Sequence, residues 1–467
     1  MTTRHRTTQA PEQTSLGTGL KTRHLTMMGL GSAIGAGLFL GTGVGIQAAG
    51  PAVLLAYLAA GIIVVLVMEM LGEMAAARPS SGSFSTYSKQ AFGHWAGFTL
   101  GWLYWFMLIM VMGAEMTGAA AIMGGWFGVD PWIPALVCVV FFAVVNFAQV
   151  RGFGEFEFWF AFIKVAVIIG FLAIGTALVF GWLPAAEPVG LDNLIGGEGF
   201  MPHGWPGLAA GLLAVAFAFG GIELVTIAAA ESERPSEAIA VAVRSVIWRI
   251  AVFYIGSVLV ITLLLPSEQM GAAETAAESP FTAVLGLANI PGAVGFMEAV
   301  IVLALLSAFN AQIYGTSRLV HSLSSERDAP RIFAATNRES VPINAVILSM
   351  VFAFASVGLQ YWNPEGLLAF LLNAVGGCLI VIWIMITASY LRLHPELEAR
   401  GEIATVRMWG WPWLGWATML ALWGLVVLML FDAAARSQIL AVVVVVAVLI
   451  GLGSITKWAQ NRVSSRP

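Results

Sequence analysis

Long apolar stretches, most of them about 20 residues or more, alternate with short polar segments along most of the chain. A helix of about 20 apolar residues is long enough to cross the hydrocarbon core of a bilayer, whereas membrane β-strands give alternating segments of roughly ten residues. The pattern therefore predicts an all-α membrane protein with twelve transmembrane helices, named here spans one to twelve. Their approximate bounds are 25–48, 52–77, 95–126, 132–150, 156–182, 207–231, 245–265, 294–322, 342–361, 364–391, 411–431 and 438–458.

Composition supports this prediction. The chain is 59% hydrophobic and 10% charged, against about 25% charged in soluble domains. Its two cysteines, Cys138 and Cys378, lie inside apolar stretches, so they are expected to act as small hydrophobic residues. Residues 1–20 are polar and are expected to form a disordered tail. No cofactor, metal site or nucleic-acid partner is predicted, and the lipid bilayer is the expected surroundings.

Positive charges predict the orientation. With twelve spans, 20 of the 22 Lys and Arg residues fall on one side of the membrane, including Arg234, Arg244 and Arg249 at the junction of spans six and seven. Positively charged loops remain in the cytoplasm. Both termini are therefore expected to be cytoplasmic, in a cytoplasmic membrane.

Two glycine-rich segments interrupt the apolar pattern, Gly31–Gly37 in span one and Phe217–Glu223 in span six. Glycine costs about 1 kcal/mol against alanine inside a helix, and unwound backbone at membrane depth is tolerated where it lines a cavity. Close helix packing through Gly31 and Gly35 is the alternative for the first segment. A second break in span six favours a binding site, because each break begins a set of five helices of opposite orientation. This arrangement predicts a 5+5 inverted repeat followed by two further helices.

Several motifs resemble those of amino-acid permeases of the amino acid–polyamine–organocation superfamily. They are Gly31–Thr42, Gly113–Thr117, Phe153–Lys164 and Phe219–Glu231. The resemblance is greatest to bacterial aromatic amino-acid permeases, and the second half also resembles GABA permeases. It implies a fold of the leucine-transporter type, with a transporter core at 21–392 (repeats at about 21–183 and 204–392) and helices eleven and twelve within 393–467.

The breaks offer complementary partners for a free amino acid. A helix that starts at the first break presents free N–H groups and a partial positive charge, which favour the substrate carboxylate. We assign it to the backbone of Gly35, Ala36 and Gly37, with the Ser32 hydroxyl nearby. Unpaired carbonyls would accept the ammonium group. They lie around Ala33 and Ile34 and at Phe217, Ala218 and Phe219, next to Gly220 and Gly221. The resemblance also implies that Tyr104 and Phe217 face the substrate.

Charged residues within spans usually mark function. Relatives that use protons have a fifth-helix lysine where sodium-coupled relatives bind a metal ion, and Lys164 matches it. Burial would then allow Lys164 to release a proton during the cycle. The alternatives are that it extends to the interface or forms a purely structural pair. Glu223 is expected either to bond unwound backbone or to act as a protonatable gate. Glu115 is expected either to line the pocket or to brace neighbouring helices, and Glu73 is expected at the membrane interface.

The function predicted is proton symport of amino acids into the cell by alternating access. The resemblance implies phenylalanine, tyrosine and tryptophan as substrates, with GABA or branched-chain and neutral amino acids as the alternative. An enzyme would need a nucleophile with its base or a metal cluster inside the spans, and a channel would need a repeated polar filter. Neither pattern occurs in the sequence. No catalytic residue is predicted.

Overall fold

The computed structural model describes residues 34–80, 82–147, 153–183, 188–196, 199–223, 226, 229, 234–267, 279–337, 341–362, 364, 366–403 and 405–464, without the side chains of 153–157, 434 and 458–464. Within these ranges all regular structure is helical. In the predicted first repeat the helices are Ala36–Phe39, Gly41–Ala49, Val53–Ala77, Ser83–Phe92, His94–Phe127, Trp132–Phe147 and Phe153–Val179. The short helix Asp192–Ile195 follows. In the predicted second repeat the helices are Gly204–Ala218, Pro235–Leu264 (with a π-helical segment at Arg249–Gly256), Pro280–Leu287, Ala293–Ser325, Ile343–Trp362 and Leu367–Ala399. Trp413–Met429 and Ala433–Ser464 follow.

Every predicted span contains helix in the structure. Among the described residues, eight helices are long and apolar enough to cross a membrane, with Ala36–Ala77 taken as one. Three shorter apolar helices correspond to spans four, six and eleven. The chain is therefore a helical, multi-pass membrane protein, while twelve separate crossings and the repeat layout stay predictions.

Spans one, six and ten pack closely at the centre of the bundle because small residues let their backbones approach. A Cβ atom on Gly211 of span six would lie 2.9 Å from the Ala49 side chain, and one on Gly376 of span ten would collide with the Leu213 carbonyl. Small residues commonly permit such contacts between membrane helices. Span twelve lies at the periphery, with exposed Val443 and Val444 side chains.

The face that carries the span two–three, eight–nine and ten–eleven connections is held by ion pairs, and we call it the arginine-rich face. Lys89 Nζ lies 2.6 Å from a Glu326 carboxylate oxygen, and His94 Nε2 lies 2.6 Å from Asp328 Oδ1. Arg78 Nε donates to Glu402 at 2.7 Å. These contacts tie the three connections to one another.

The opposite face is covered near span one by the helix Pro280–Leu287, which we call the lid helix. Ser279, just before it, donates its hydroxyl to the Phe39 carbonyl at 2.8 Å. The Phe281 ring packs edge-on against Phe39, with centroids 5.0 Å apart. The lid helix therefore covers span one at Phe39, two residues after Gly37.

Span seven differs from the prediction. Its helix begins at Pro235, ten residues before the predicted start, and runs to Leu264. Arg249 consequently lies near the middle of this helix and is fully buried, so counting it among the charges at the junction of spans six and seven was wrong. Hydropathy alone missed the first turns because Ser236, Glu237 and Arg244 lower their apolar character.

Glu73 was also predicted wrongly. Its side chain is fully buried and accepts hydrogen bonds from the Met408 N–H at 2.8 Å and from the His394 ring. The helix of span ten extends to Ala399, beyond the predicted limit of 391. That extension brings His394 to Glu73 and buries a carboxylate that was expected at the interface.

Candidate functional site

The helix of span six ends at Ala218, at the predicted break. The Gly220 N–H donates to the Phe217 carbonyl at 2.8 Å, which forms a tight turn in place of a further helical turn. Gly221 has φ +90°, a conformation that L side chains rarely adopt, so glycine is needed at this position. The backbone is therefore non-helical from Phe219 to Glu223.

In span one the described helix begins at Ala36, after Gly35 in an extended conformation. Ile34 and Gly35 are described and buried, whereas Ser32 and Ala33 lie outside the described residues. The amide groups in the first turn of a helix have no partner within the helix. The start at Ala36 thus exposes backbone donors within the predicted first break.

The two breaks meet directly. A Cβ atom on Gly37 would lie 2.6 Å from the Ala218 Cα atom and 3.2 Å from the Phe217 ring. All three residues are buried. The structure thus brings together the segments that the sequence places about 180 residues apart, and in this conformation they are in contact with each other.

The Glu115 carboxylate lies at the start of the span one helix. The Ala36 N–H donates to both of its oxygens, at 3.0 and 3.2 Å, and a Cβ atom on Gly35 would collide with it. Glu115 is 3% exposed. The Glu115 carboxylate therefore binds the Ala36 N–H, which was predicted to bind the substrate carboxylate.

Lys164 on span five is 2% exposed. Its side chain is enclosed by the protein in this conformation. Its charge acts on Glu115. A cation, a carboxylate and the helix start of span one are thus assembled at the first break.

Glu223 stabilises the second break. One of its oxygens accepts from the Gly221 N–H at 3.2 Å, and the other accepts from the Trp383 indole N–H at 2.8 Å. Its side chain is 1% exposed. The contact with unwound backbone was one of the two roles predicted for this residue.

Tyr104 lies away from the first break. It comes eleven residues before Glu115 on the helix of span three, which corresponds to about 16 Å along the axis. Its ring packs edge-on against Phe84 at 4.6 Å, and its charge environment includes Glu223. Its buried hydroxyl has no hydrogen-bond partner among the described residues. The structure therefore groups Tyr104 with the second break.

Sequence reasoning missed two residues near Glu223. Trp383 of span ten donates to the carboxylate, and no sequence pattern indicates such a contact between distant helices. Arg249 of span seven acts electrostatically on Glu223. Its depth could have been inferred, because Pro235 at the first helical position and Glu237 in the first turn are typical of a helix start.

No group of three or more His, Cys, Asp or Glu residues suited to a metal ion occurs in the part of the chain that the structure describes. The site therefore consists of backbone groups, the carboxylates of Glu115 and Glu223, and buried cations.

Comparison with known proteins identifies the family. Residues 24–465 match the family described as amino acid permease. The chain is 73% identical to the aromatic amino acid transport protein AroP of Corynebacterium glutamicum, over 96% of each chain. It is 40% identical to the gamma-aminobutyric acid permease of Bacillus subtilis, over 94% of this chain and 93% of that protein.

Solved structures give the fold alone. A mutant of the manganese transporter of Eremococcus coleocola superimposes with a TM-score of 0.55 over 97% of each chain, at 15% sequence identity. The resemblance read from the motifs is thus confirmed by a family match and by full-length relatives. The chain belongs to the amino acid permease family and is a membrane transporter.

Proposed function

We propose that this chain imports aromatic amino acids, namely phenylalanine, tyrosine and tryptophan, by proton symport with alternating access. The observation that carries the substrate class is the 73% identity, over 96% of the chain, with a protein named as an aromatic amino acid transporter. GABA or branched-chain and neutral amino acids are the second candidate, since relatives named as GABA permeases are 40–42% identical over nearly the whole chain.

The substrate carboxylate binds the backbone N–H groups of Gly35, Ala36 and Gly37. The contact between the Ala36 N–H and the Glu115 carboxylate supports this assignment, because the same chemical group already binds there. The positive end of the helix dipole favours an anion at this position. The Ser32 hydroxyl, which lies outside the described residues, is part of the proposal on the strength of the sequence.

The substrate ammonium is held by carbonyl oxygens at the two breaks. The carbonyls proposed are those of Ala33, Ile34, Phe217, Ala218 and Phe219. The helix end at Ala218 supports this part of the proposal, since the last carbonyls of a helix lack partners within it. The Phe217 carbonyl already accepts from the Gly220 N–H, so it would bind the ammonium through its second lone pair. The contact of Gly37 with Phe217 and Ala218 brings donors and acceptors within reach of one small molecule.

The proton is carried by Glu115, with Lys164 as its partner. Hydrogen bonds to an ionised acceptor are about twice as strong as those between neutral groups. Protonation of Glu115 therefore weakens its hold on the Ala36 N–H and makes that amide available to the substrate carboxylate. In this scheme one site responds to both the proton and the substrate, as symport requires.

The aromatic ring of the substrate extends toward Phe217, which lies at the contact between the breaks. Tyr104 acts beyond the second break, on the side of Glu223. Glu223 shapes the unwound part of span six through Gly221.

The architecture proposed is twelve spans in an inverted repeat of five plus five helices, at about 21–183 and 204–392, followed by spans eleven and twelve within 393–467. The arginine-rich face is cytoplasmic. Without Arg249, which is buried inside span seven, 19 of the 22 Lys and Arg residues remain on that side. The positive-inside bias thus still supports cytoplasmic termini, including the tail at 1–20, which lies outside the described residues.

Uptake into proteoliposomes tests this function. We expect saturable entry of labelled phenylalanine when an acidic exterior is imposed, with competition by unlabelled tyrosine and tryptophan and little competition by GABA or leucine. The matched variant Glu115→Gln should lose uptake driven by the proton gradient, because a carboxamide does not titrate, while it retains exchange of labelled for unlabelled phenylalanine.

Uptake that depends on sodium and is indifferent to the proton gradient would contradict the proposed coupling. Stronger competition by GABA than by tyrosine would contradict the proposed substrate class. A Glu115→Gln variant with normal gradient-driven uptake would exclude Glu115 as the proton carrier.

A further inference from the structure

Arg249 is a buried cation that the proposed transport scheme does not use. It is 0% exposed and lies about 21 Å from the start of the span seven helix, at about 1.5 Å per residue. None of its three guanidinium nitrogens has a hydrogen-bond partner among the described residues. A buried charge without a partner is strongly destabilising, so an arginine in this state needs a counter-charge.

Two groups provide the charge environment of Arg249, namely Tyr254 on its own helix and Glu223 on span six. Of these two, Glu223 is the carboxylate. Glu223 is faced in turn by Tyr104 from span three and by the Trp383 indole from span ten. Span seven packs directly on the span six break, since the Phe219 and Tyr254 rings lie 5.0 Å apart. Among the described residues, Arg249 is a cation of that helix whose charge acts on Glu223.

The two breaks have the same chemical arrangement. At the first, Glu115 accepts from the Ala36 N–H and is acted on by the buried cation Lys164. At the second, Glu223 accepts from the Gly221 N–H and is acted on by the buried cation Arg249. Each break thus has one carboxylate on its backbone and one cation from a neighbouring helix.

The second arrangement differs in one respect. Both Glu223 oxygens already accept hydrogen bonds, from the Gly221 backbone and the Trp383 indole, whereas the guanidinium donors of Arg249 have no described acceptor. Arg249 also lies at the start of a π-helical segment, and such segments are frequent at functional sites. If the backbone rotated at Gly221, Glu223 would lose its hydrogen bond from the Gly221 N–H. The freed carboxylate oxygen would then accept directly from the Arg249 guanidinium.

We propose that Arg249 is the positioning counter-ion of Glu223 and that its guanidinium closes onto this carboxylate in a second conformation of the span six break. This inference rests on the proposed function and deepens it. The transported proton stays assigned to Glu115. Substrate affinity belongs to the first break, while the Arg249–Glu223 pair controls movement of the second.

The test uses exchange of labelled for unlabelled phenylalanine in proteoliposomes, which needs no proton gradient, together with the melting temperature of each purified variant. Arg249→Gln leaves Glu223 as an unpaired buried anion, and we expect at least a tenfold loss of exchange and a lower melting temperature. The double variant Glu223→Gln/Arg249→Gln removes both charges. It should exchange several-fold faster than Arg249→Gln and melt at a higher temperature.

Arg244→Gln is the matched control, because Arg244 is an exposed arginine on the same helix. It should exchange within about twofold of the unaltered protein. Arg249→Lys keeps the charge and should retain more exchange than Arg249→Gln. Adding Glu223→Gln to Arg249→Lys recreates an unpaired cation and should lower exchange again, which keeps the test decisive if Arg249→Gln does not fold.

The proposal is overturned if the double variant is no more active or stable than Arg249→Gln, or if Arg249→Gln behaves like Arg244→Gln. The effect of Glu223→Gln on exchange should depend on the residue at position 249. The proposal is also overturned if this effect is the same factor in the unaltered protein, in Arg249→Lys and in Arg249→Gln, because the two residues would then act independently. Absence of phenylalanine exchange in the unaltered protein and in Arg244→Gln would instead contradict the proposed function, while the melting temperatures would still report on the pair.

Discussion

At the scale of single residues, the site depends on positions without a side chain. Gly37 allows spans one and six to touch at Ala218, and Gly35 leaves space for the Glu115 carboxylate. The sequence predicted both glycines as parts of a break, because glycine is unfavourable inside a helix. It did not predict Glu115 on the Ala36 N–H, since that contact joins residues 79 positions apart.

Gly37→Ala tests the contact between the breaks. The added Cβ atom would lie 2.6 Å from the Ala218 Cα atom, so the two helices would have to separate. We expect at least a tenfold loss of phenylalanine uptake, measured per molecule of protein in the membrane.

Gly170→Ala on span five is the control for this substitution. A Cβ atom there would have nothing within 4 Å, and alanine favours a helix, so uptake should be unchanged. Equal uptake by the two variants would mean that Gly37 has no special role.

At the scale of secondary-structure elements, the apolar pattern predicted where helices occur better than where they end. Span seven starts ten residues early and span ten extends eight residues further than predicted. In both cases the extra turns are amphipathic, so average hydropathy does not distinguish them from loops. Their consequences are large, because the added turns of span seven place Arg249 near the middle of its helix and those of span ten bury His394.

The connection between spans ten and eleven is anchored by the buried Glu73. This carboxylate accepts from the Met408 backbone and the His394 ring, while Arg78 binds Glu402 in the same connection. The Arg78 guanidinium lowers the pKa of the half-buried Glu402 carboxyl through their hydrogen bond. This pair is partly open to solvent, which screens it and reduces its contribution, so the fully buried Glu73 is the principal anchor.

Glu73→Gln should lower the melting temperature of the purified protein by several degrees. Hydrogen bonds to a charged group contribute about 1.5–3 kcal/mol each, and the substitution weakens those from Met408 and His394. The half-buried Glu69, one helical turn earlier on span two, is the control.

Thermal unfolding followed by fluorescence provides the measurement. Glu69→Gln should change the melting temperature by less than Glu73→Gln does. If the two variants melt together, the buried carboxylate does not anchor the connection.

At the scale of the whole molecule, one conformation of a transporter is visible. The lid helix covers span one through Ser279 and Phe281. The Lys89–Glu326 ion pair and the His94–Asp328 contact join connections on the arginine-rich face, and the breaks touch each other. Helical content, membrane insertion and the two breaks followed from the sequence. The charge pairs did not, because the proximity of Glu115 to Lys164 and of Glu223 to Arg249 depends on tertiary packing.

The most direct test of the account is an experimental structure of the protein with bound phenylalanine. We predict the ligand carboxylate within hydrogen-bond distance of the Gly35–Gly37 amides, the Glu115 side chain displaced from the Ala36 N–H, and the ligand ammonium on carbonyls of the span six break. Phenylalanine bound elsewhere, with Glu115 still on the Ala36 N–H and the two breaks in contact, would contradict the account.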